Sequence, residues 1–167
     1  MEGLGDNASI NTNMGTMSQS IPIMVPQGFG ATTPNLSLSY SSGSPSHILG
    51  MGWSMPIPAI ERMTYRGLPE YDSDDDFCAN GGEQLIRLPQ TNPPQYRARF
   101  EGGFVRYTWL AEGDGSEGYW LAEYPDGTKG YFGATADGTL VPQARVGDEE
   151  GTFRYMLVEK VDLYGHR

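Results

Sequence analysis

Apolar and polar side chains alternate with a period of two along most of the chain, and that period predicts strands. Ile21, Ile23 and Val25 are separated by Pro22 and Met24. A proline removes a ladder donor, so this strand is expected at an edge or with unpaired amides there. Leu36, Leu38 and Tyr40 alternate with Ser37 and Ser39, which predicts a half-buried strand. Residues 61–71 read as a short strand ending in the turn Gly67-Leu68-Pro69, and a loop then leads into a strand at Phe77. Residues 84–88, 96–100, 104–110, 119–124, 130–133 and 153–161 continue the series.

Turn chemistry separates these strands. Asp114-Gly115, Asp126-Gly127, Asp137-Gly138 and Gly147-Asp148 recur at similar intervals. Asp-Gly suits the positive φ angles of tight hairpin turns, so the spacing predicts an antiparallel meander. Helix is nearly excluded. Residues 70–80 are rich in Asp, a poor interior helix former. Residues 152–164 place Phe153, Tyr155 and Leu157 opposite Arg154, Met156 and Val158, as a strand would. The predicted fold class is all-β, with antiparallel hairpins or a meander forming part of an open or shell-like sheet. Residues 1–19 are mostly Gly, Asn, Ser, Thr and Met and read as a mobile N-terminal arm, leaving residues 20–167 as the β domain.

Two glycines, Gly50 and Gly52, precede Trp53, which suggests a second backbone close to the indole. Trp53 is expected to be a buried anchor, with Leu36, Leu38, Tyr40, Ile57 and Ile60 sharing its core.

Composition narrows the function. The 23 glycines and 12 prolines fit a turn-rich chain, and 38% hydrophobic with 11% aromatic residues is more than a disordered chain carries. A net charge of −10 with no Lys/Arg cluster argues against a nucleic-acid partner and against an anionic membrane surface. No apolar run approaches the ~20 residues of a membrane span, so no direct membrane insertion is expected. Residues 1–20 contain no Lys, Arg or continuous apolar core, so no secretory signal is recognisable. The single cysteine, Cys78, excludes an internal disulfide and a cysteine-based zinc site. Its acidic neighbours would raise the thiol pKa.

Catalysis needs a nucleophile, base or metal in a workable arrangement. Of the two histidines, His47 lies in a Ser/Pro-rich turn and His166 beside the last residue. No motif joins either to a serine or carboxylate, and no cofactor motif is present, so neither enzyme activity nor a cofactor is expected. Asp72, Asp74, Asp76 and Glu83 have the spacing of calcium-loop ligands, but Phe77 stands where such a loop needs glycine, and no helices flank it. A solvated loop is the plainer reading. Tyr107, Trp109, Tyr119, Trp120, Tyr124 and Tyr131 fall on successive strands. An exposed row would stack on sugars, as in a β-sandwich carbohydrate-binding module, but strand aromatics more often pack as core.

Four segments carry a resemblance. They are Ser20-Ile21-Pro22-Ile23-Met24-Val25-Pro26 with Gly28-Phe29-Gly30; Pro34-Asn35-Leu36-Ser37-Leu38-Ser39-Tyr40-Ser41-Ser42-Gly43; Leu49-Gly50-Met51-Gly52-Trp53-Ser54-Met55-Pro56-Ile57-Pro58-Ala59-Ile60; and Gly67-Leu68-Pro69-Glu70-Tyr71-Asp72 through Phe77, Gly82 and Glu83. In order and spacing they resemble the N-terminal region of SpvB-like virulence proteins and of the B component of insecticidal toxin complexes. Tyr124-Pro125-Asp126-Gly127-Thr128 and Asp162-Leu163-Tyr164-Gly165-His166-Arg167 match more loosely. The resemblance implies a structural, non-catalytic segment of a toxin-delivery protein, part of a Rhs/YD-type β-shell that encloses a cytotoxic domain. It implies as partners the remainder of the shell or a C-type toxin component, and a pore-forming subunit. It also implies release from the bacterium without a recognisable signal peptide. The final turn should lead into another strand, so the chain is expected to be a piece of a longer protein.

Overall fold

A computed structural model describes residues 8–13, 15–26, 33, 36–47, 49–72, 74–112 and 117–167. The chain divides into two compact units, residues 1–28 with 33–57, and residues 29–32 with 58–167.

The first unit contains β1 (Ala8–Asn11), β2 (Thr16–Ile23), β3 (Leu36–Ser41), β4 (Ser46–His47), β5 (Gly50–Met51) and β6 (Trp53–Ser54). β1, β2, β3 and β6 form a four-stranded antiparallel sheet in that order, and β4 pairs with β5. β1 opposes only Thr16 to Gln19 of β2. Pro22 therefore lies beyond the reach of β1, where its missing N–H disrupts no ladder. β1 and the start of β2 fall inside the stretch read as a mobile arm. Their side chains are mostly small and polar, but backbone pairing is indifferent to that, and the Ser9 and Ser18 hydroxyls are hydrogen-bonded at 2.7 Å.

The second unit runs through β7 (Ala59–Arg62), β8 (Phe77–Ala79), β9 (Glu83–Arg87), β10 (Gln95–Ala98), β11 (Arg106–Glu112), β12 (Glu117–Glu123) and β13 (Lys129–Phe132). A 3-10 turn, Pro142–Ala144, then leads into β14 (Arg145–Gly147) and β15 (Thr152–Val161). From β7 to β13 each strand pairs antiparallel with the next, as the turn spacing predicts. Instead of an open sheet the strands make a ring. β15 pairs with β7 through Tyr155 and Ile60, and with β13 through Lys160 and Gly130, closing eight strands into a barrel. The ten residues of β15 make this possible, because separate stretches of it serve β7 and β13. β14 lies along its N-terminal stretch. Gly127 (φ 79°) and Gly138 (φ 89°) occupy the left-handed positions that the Asp-Gly pairs require. Asp114-Gly115 lies outside the described residues.

Period-two alternation turns Ile60, Phe77, Leu85, Tyr96, Tyr107, Trp120, Phe132 and Tyr155 into the barrel, where all are buried. Trp120 is at the centre, with the rings of Phe77 and Tyr96 each 4.9 Å away, edge-on. A barrel of this strand number is just wide enough for side chains to fill. The apolar interior is the reverse of a membrane barrel, which is apolar outside.

Two expectations need correction. Trp53 is half-buried rather than a full anchor, its ring 5.2 Å from that of Tyr40. Trp53 falls in the first unit and Ile60 in the second. Leu36, Leu38, Tyr40, Ile57 and Trp53 belong to the first unit and are all half-buried, whereas Ile60 is fully buried in the barrel. A sheet one layer thick covers its apolar face only in part, while the closed ring covers its interior from every side.

Gly52 does sit at a close approach (φ 77°), but a Cβ there would meet the Tyr40 ring at 2.7 Å and the Ser41 carbonyl at 2.8 Å, not the indole. Gly50 needs its freedom for φ 104° alone, since a Cβ there meets nothing within 4 Å. Gly52→Ala should cost about 1–3 kcal/mol and loosen β3 from β6. Hydrogen exchange of the Ser41 amide, which donates to the Gly52 carbonyl at 2.9 Å, reads this directly. Unchanged protection would contradict the packing.

Candidate functional site

The most developed polar constellation seals one end of the barrel. Arg62 follows Ile60 by two positions on β7 and so points inward. Its side chain is 9% exposed and its Nη1 donates to Asp75 Oδ2 at 2.6 Å. Nη1 also reaches the Asp72 carbonyl at 3.3 Å, and Nε donates to the Thr152 carbonyl at 3.1 Å. The guanidinium lies 4.9 Å from the Phe77 ring centre and 5.2 Å from that of Tyr71. Asp75 in turn accepts the backbone N–H of Tyr71 at 2.8 Å and of Glu70 at 3.2 Å. The loop from Glu70 to Asp76 is therefore folded onto the arginine. Tyr71 is held at φ 57°, against Gly151, where a Cβ would come within 2.5 Å of the tyrosine ring.

The acidic run is built into this closure. Asp72 Oδ1 accepts the Asp74 N–H at 2.9 Å. The Asp76 carboxylate accepts the Tyr65 hydroxyl and pairs with Arg66 at 3.4 Å. Glu83 begins β9, opposite Ala79. Among the described residues no three His, Cys, Asp or Glu side chains gather into a metal-binding group. Arg62 pairs with Asp75, which is not one of the four carboxylates of the calcium-loop spacing. An open cleft of ≈ 220 Å³, lined in part by Met63, Tyr65, Arg66, Leu68 and Asp74, lies over the loop. Sequence reasoning missed Arg62, Tyr71 and Asp75. The available signal was phase: Arg62 is in step with Ile60, so a cation had to face inward.

On the outside of the barrel, Glu61 sits between Arg154 and Cys78 in the strand register. Its carboxylate accepts Arg154 Nε at 2.6 Å and lies 3.9 Å from Cys78 Sγ. Cys78 is 6% exposed. Burial first, and the Glu61 charge second, push its thiol up to about 11. The thiolate is the reactive form, so iodoacetamide at neutral pH should leave the folded chain unmodified and label it only in denaturant. Rapid native labelling would contradict this environment.

His166 is a turn residue. Its Nδ1 is 2.8 Å from Asp162 Oδ2, and Asp162 Oδ1 accepts the N–H groups of Tyr164 and His166 at 2.8 and 2.9 Å. The His47 side chain lies outside the described residues. The aromatic series does not form an exposed platform. Tyr107 and Trp120 are core, Trp109 and Tyr124 pack against it, and Tyr119 and Tyr131 are half-buried.

These features define an aromatic-filled antiparallel β-barrel module, preceded by a small sheet, whose buried charges hold loops in place. The chain belongs to the SpvB family (Salmonella virulence plasmid 65kDa B protein), whose model matches residues 11–167. It is 30% identical to the mono(ADP-ribosyl)transferase SpvB of Salmonella typhimurium, over 78% of this chain and 25% of that protein. It thus spans about a quarter of the length of the curated relatives it matches. In structure it resembles the N-terminal domain of the effector SpvB from Salmonella typhimurium strain LT2. The TM-score is 0.68 at 26% identity, covering 85% of this chain and 50% of that one. It also resembles part of the TcdB2–TccC3 complex, with a TM-score of 0.73 at 27% identity, over 98% of this chain and 8% of that one. Fold and family together place it with the β domains shared by SpvB N-terminal regions and toxin-complex proteins.

Proposed function

We propose that this chain is a structural, non-catalytic segment of a bacterial toxin-delivery protein, contributing part of a β-shell around a cytotoxic domain. The observation that carries the reading is the likeness to TcdB2–TccC3 over 98% of this chain. The site chemistry supports it. Arg62 and Asp75 close a barrel end, Cys78 is a shielded neutral thiol, and Asp162 with His166 shapes a turn. On this reading the partners are the remainder of the shell or a C-type component, with a pore-forming subunit further on, and the protein acts outside the bacterium that makes it. The curated relatives are mono(ADP-ribosyl)transferases, of which this chain matches about a quarter, and on this reading that activity lies in the rest of their length.

Two measurements test the proposal. The chain incubated with NAD⁺ should transfer no ADP-ribose; turnover would overturn the non-catalytic reading. Replacing the matched segment of a toxin-complex B component by a flexible linker of equal length should expose the enclosed region to trypsin. Unchanged protection would overturn the shell role.

A further inference from the structure

The turn between β8 and β9 is built from Asn80, Gly81 and Gly82, and all three are exposed. Asn80 stands at φ 51° and Gly81 at φ 78°, two successive left-handed residues that fit the twist of a tight hairpin. The backbone is pinned on either side. The Asn80 N–H donates to the Ala59 carbonyl at 2.8 Å, and the Gly82 N–H to the Ala79 carbonyl at 3.2 Å. Between them, the Gly81 N–H and the Asn80 carboxamide have no hydrogen-bond partner among the described residues. A Cβ at Gly81 would meet nothing within 4 Å, so no neighbouring group shields that nitrogen. Of the asparagines in the chain, Asn80 alone precedes glycine, and Asn92 precedes Pro93, whose nitrogen carries no hydrogen.

We propose that Asn80 is a site of spontaneous covalent modification, at which the turn converts itself to aspartate or isoaspartate. The Gly81 backbone nitrogen gives up its proton to hydroxide and attacks Asn80 Cγ. A carbon–nitrogen bond forms, the bond from Cγ to the side-chain nitrogen breaks, and ammonia leaves with a proton taken from solvent. Water then opens the resulting cyclic imide at either carbonyl. Breaking the new bond restores the ordinary backbone and leaves an aspartate. Breaking the original peptide bond leaves the chain running through the side chain, as an isoaspartate. The net change is water taken up and ammonia released, with no oxidant or reductant. Glycine favours the attack because it has no Cβ to crowd the nitrogen.

Either product adds a carboxylate close to Glu83, the first residue of β9, in a chain that is already acidic. Isoaspartate also lengthens the backbone by one carbon, in a turn whose left-handed residues are matched to the Ala79–Glu83 pair. The ladder between β8 and β9 should loosen there first, next to the buried Cys78.

Incubation of the full folded chain at physiological temperature in mildly alkaline buffer tests this, followed by anion exchange and by mass spectrometry of the peptide containing Asn80. The parent should gain one acidic charge, and that peptide should gain the mass difference between water and ammonia, faster as the pH is raised. Isoaspartate and aspartate forms of the peptide separate by reversed-phase chromatography. Asn80→Gln, whose longer side chain would have to close a larger ring, should show no acidic shift over the same period. Asn80→Asp should elute from the outset where the modified parent elutes, with far-UV circular dichroism confirming the fold of each variant. A folded parent that stays intact overturns the proposal, and modification of the same chain in denaturant would then show that the hairpin shields its own amide. An acidic shift that persists in Asn80→Gln, or that maps to other asparagines, overturns it as well.

Discussion

Trp120→Ala should unfold the barrel at a markedly lower temperature. Trp120 is 0% exposed and packs edge-on against Phe77, Tyr96 and Trp109, with ring centres 4.9, 4.9 and 5.3 Å away. Truncating a buried tryptophan costs about 3–5 kcal/mol in lost transfer energy and residual cavity. At ~2–4 °C per kcal/mol for a chain of this size, the melting temperature should fall by roughly 6–20 °C. Trp120→Phe should cost much less. Among the described residues the indole Nε1 is buried without a hydrogen-bond partner. Phenylalanine removes that unpaired donor while keeping most of the ring, so its loss of volume is partly offset. Thermal melts of the two variants beside the parent check both statements. An alanine variant as stable as the parent would mean that the indole is not at the centre of the core.

Arg62→Ala should be nearly as damaging, for an electrostatic reason. The Arg62 and Asp75 side chains are 9% and 13% exposed, so removing the cation leaves a carboxylate largely out of water. Breaking a buried pair from one side costs about 3–5 kcal/mol. Exchanging both partners for apolar residues is much milder, because no charge is then left uncompensated. Arg62→Met with Asp75→Leu should therefore be more stable than Arg62→Met alone. It should still fall short of the parent, since Asp75 also holds the Tyr71 and Glu70 amides. Chemical denaturation of the four corners of this cycle gives the coupling. Additive single costs would show that the pair does not close the barrel end as described.

Much of the fold could be read in the sequence. Alternation located the meander, because each barrel strand has one face in the core and one facing out. The Asp-Gly pairs marked hairpin turns because only residues tolerant of positive φ fit there. Ring closure was not legible. The pattern of 153–161 says that the segment is a strand, but not that it has two partners. The core was assigned wrongly around Trp53 for a related reason. Sequence proximity joined it to Ile60, whereas the unit boundary falls between Ile57 and Pro58. The acidic run was noticed as a possible ion site. Arg62 on β7 pairs with Asp75, which the alternating Asp72, Asp74 and Asp76 spacing skips, so that spacing alone does not reveal the pair.

The relation between closure and function is physical. An open sheet presents unpaired amides and invites pairing with other chains. A closed barrel satisfies its own ladder and can be carried within a larger shell without depending on a neighbouring strand. The first unit is different, since its apolar face remains partly in water.

Ring closure at β13 and β15 is the feature most open to direct test, by native-state hydrogen exchange on the full chain. Protection of the Lys129–Phe132 strand and of the facing half of β15 should match that of β11 and β12, which pair along their whole length. Exchange in those two segments as fast as in the exposed turns would mean that the sheet is open, and would contradict the self-contained barrel.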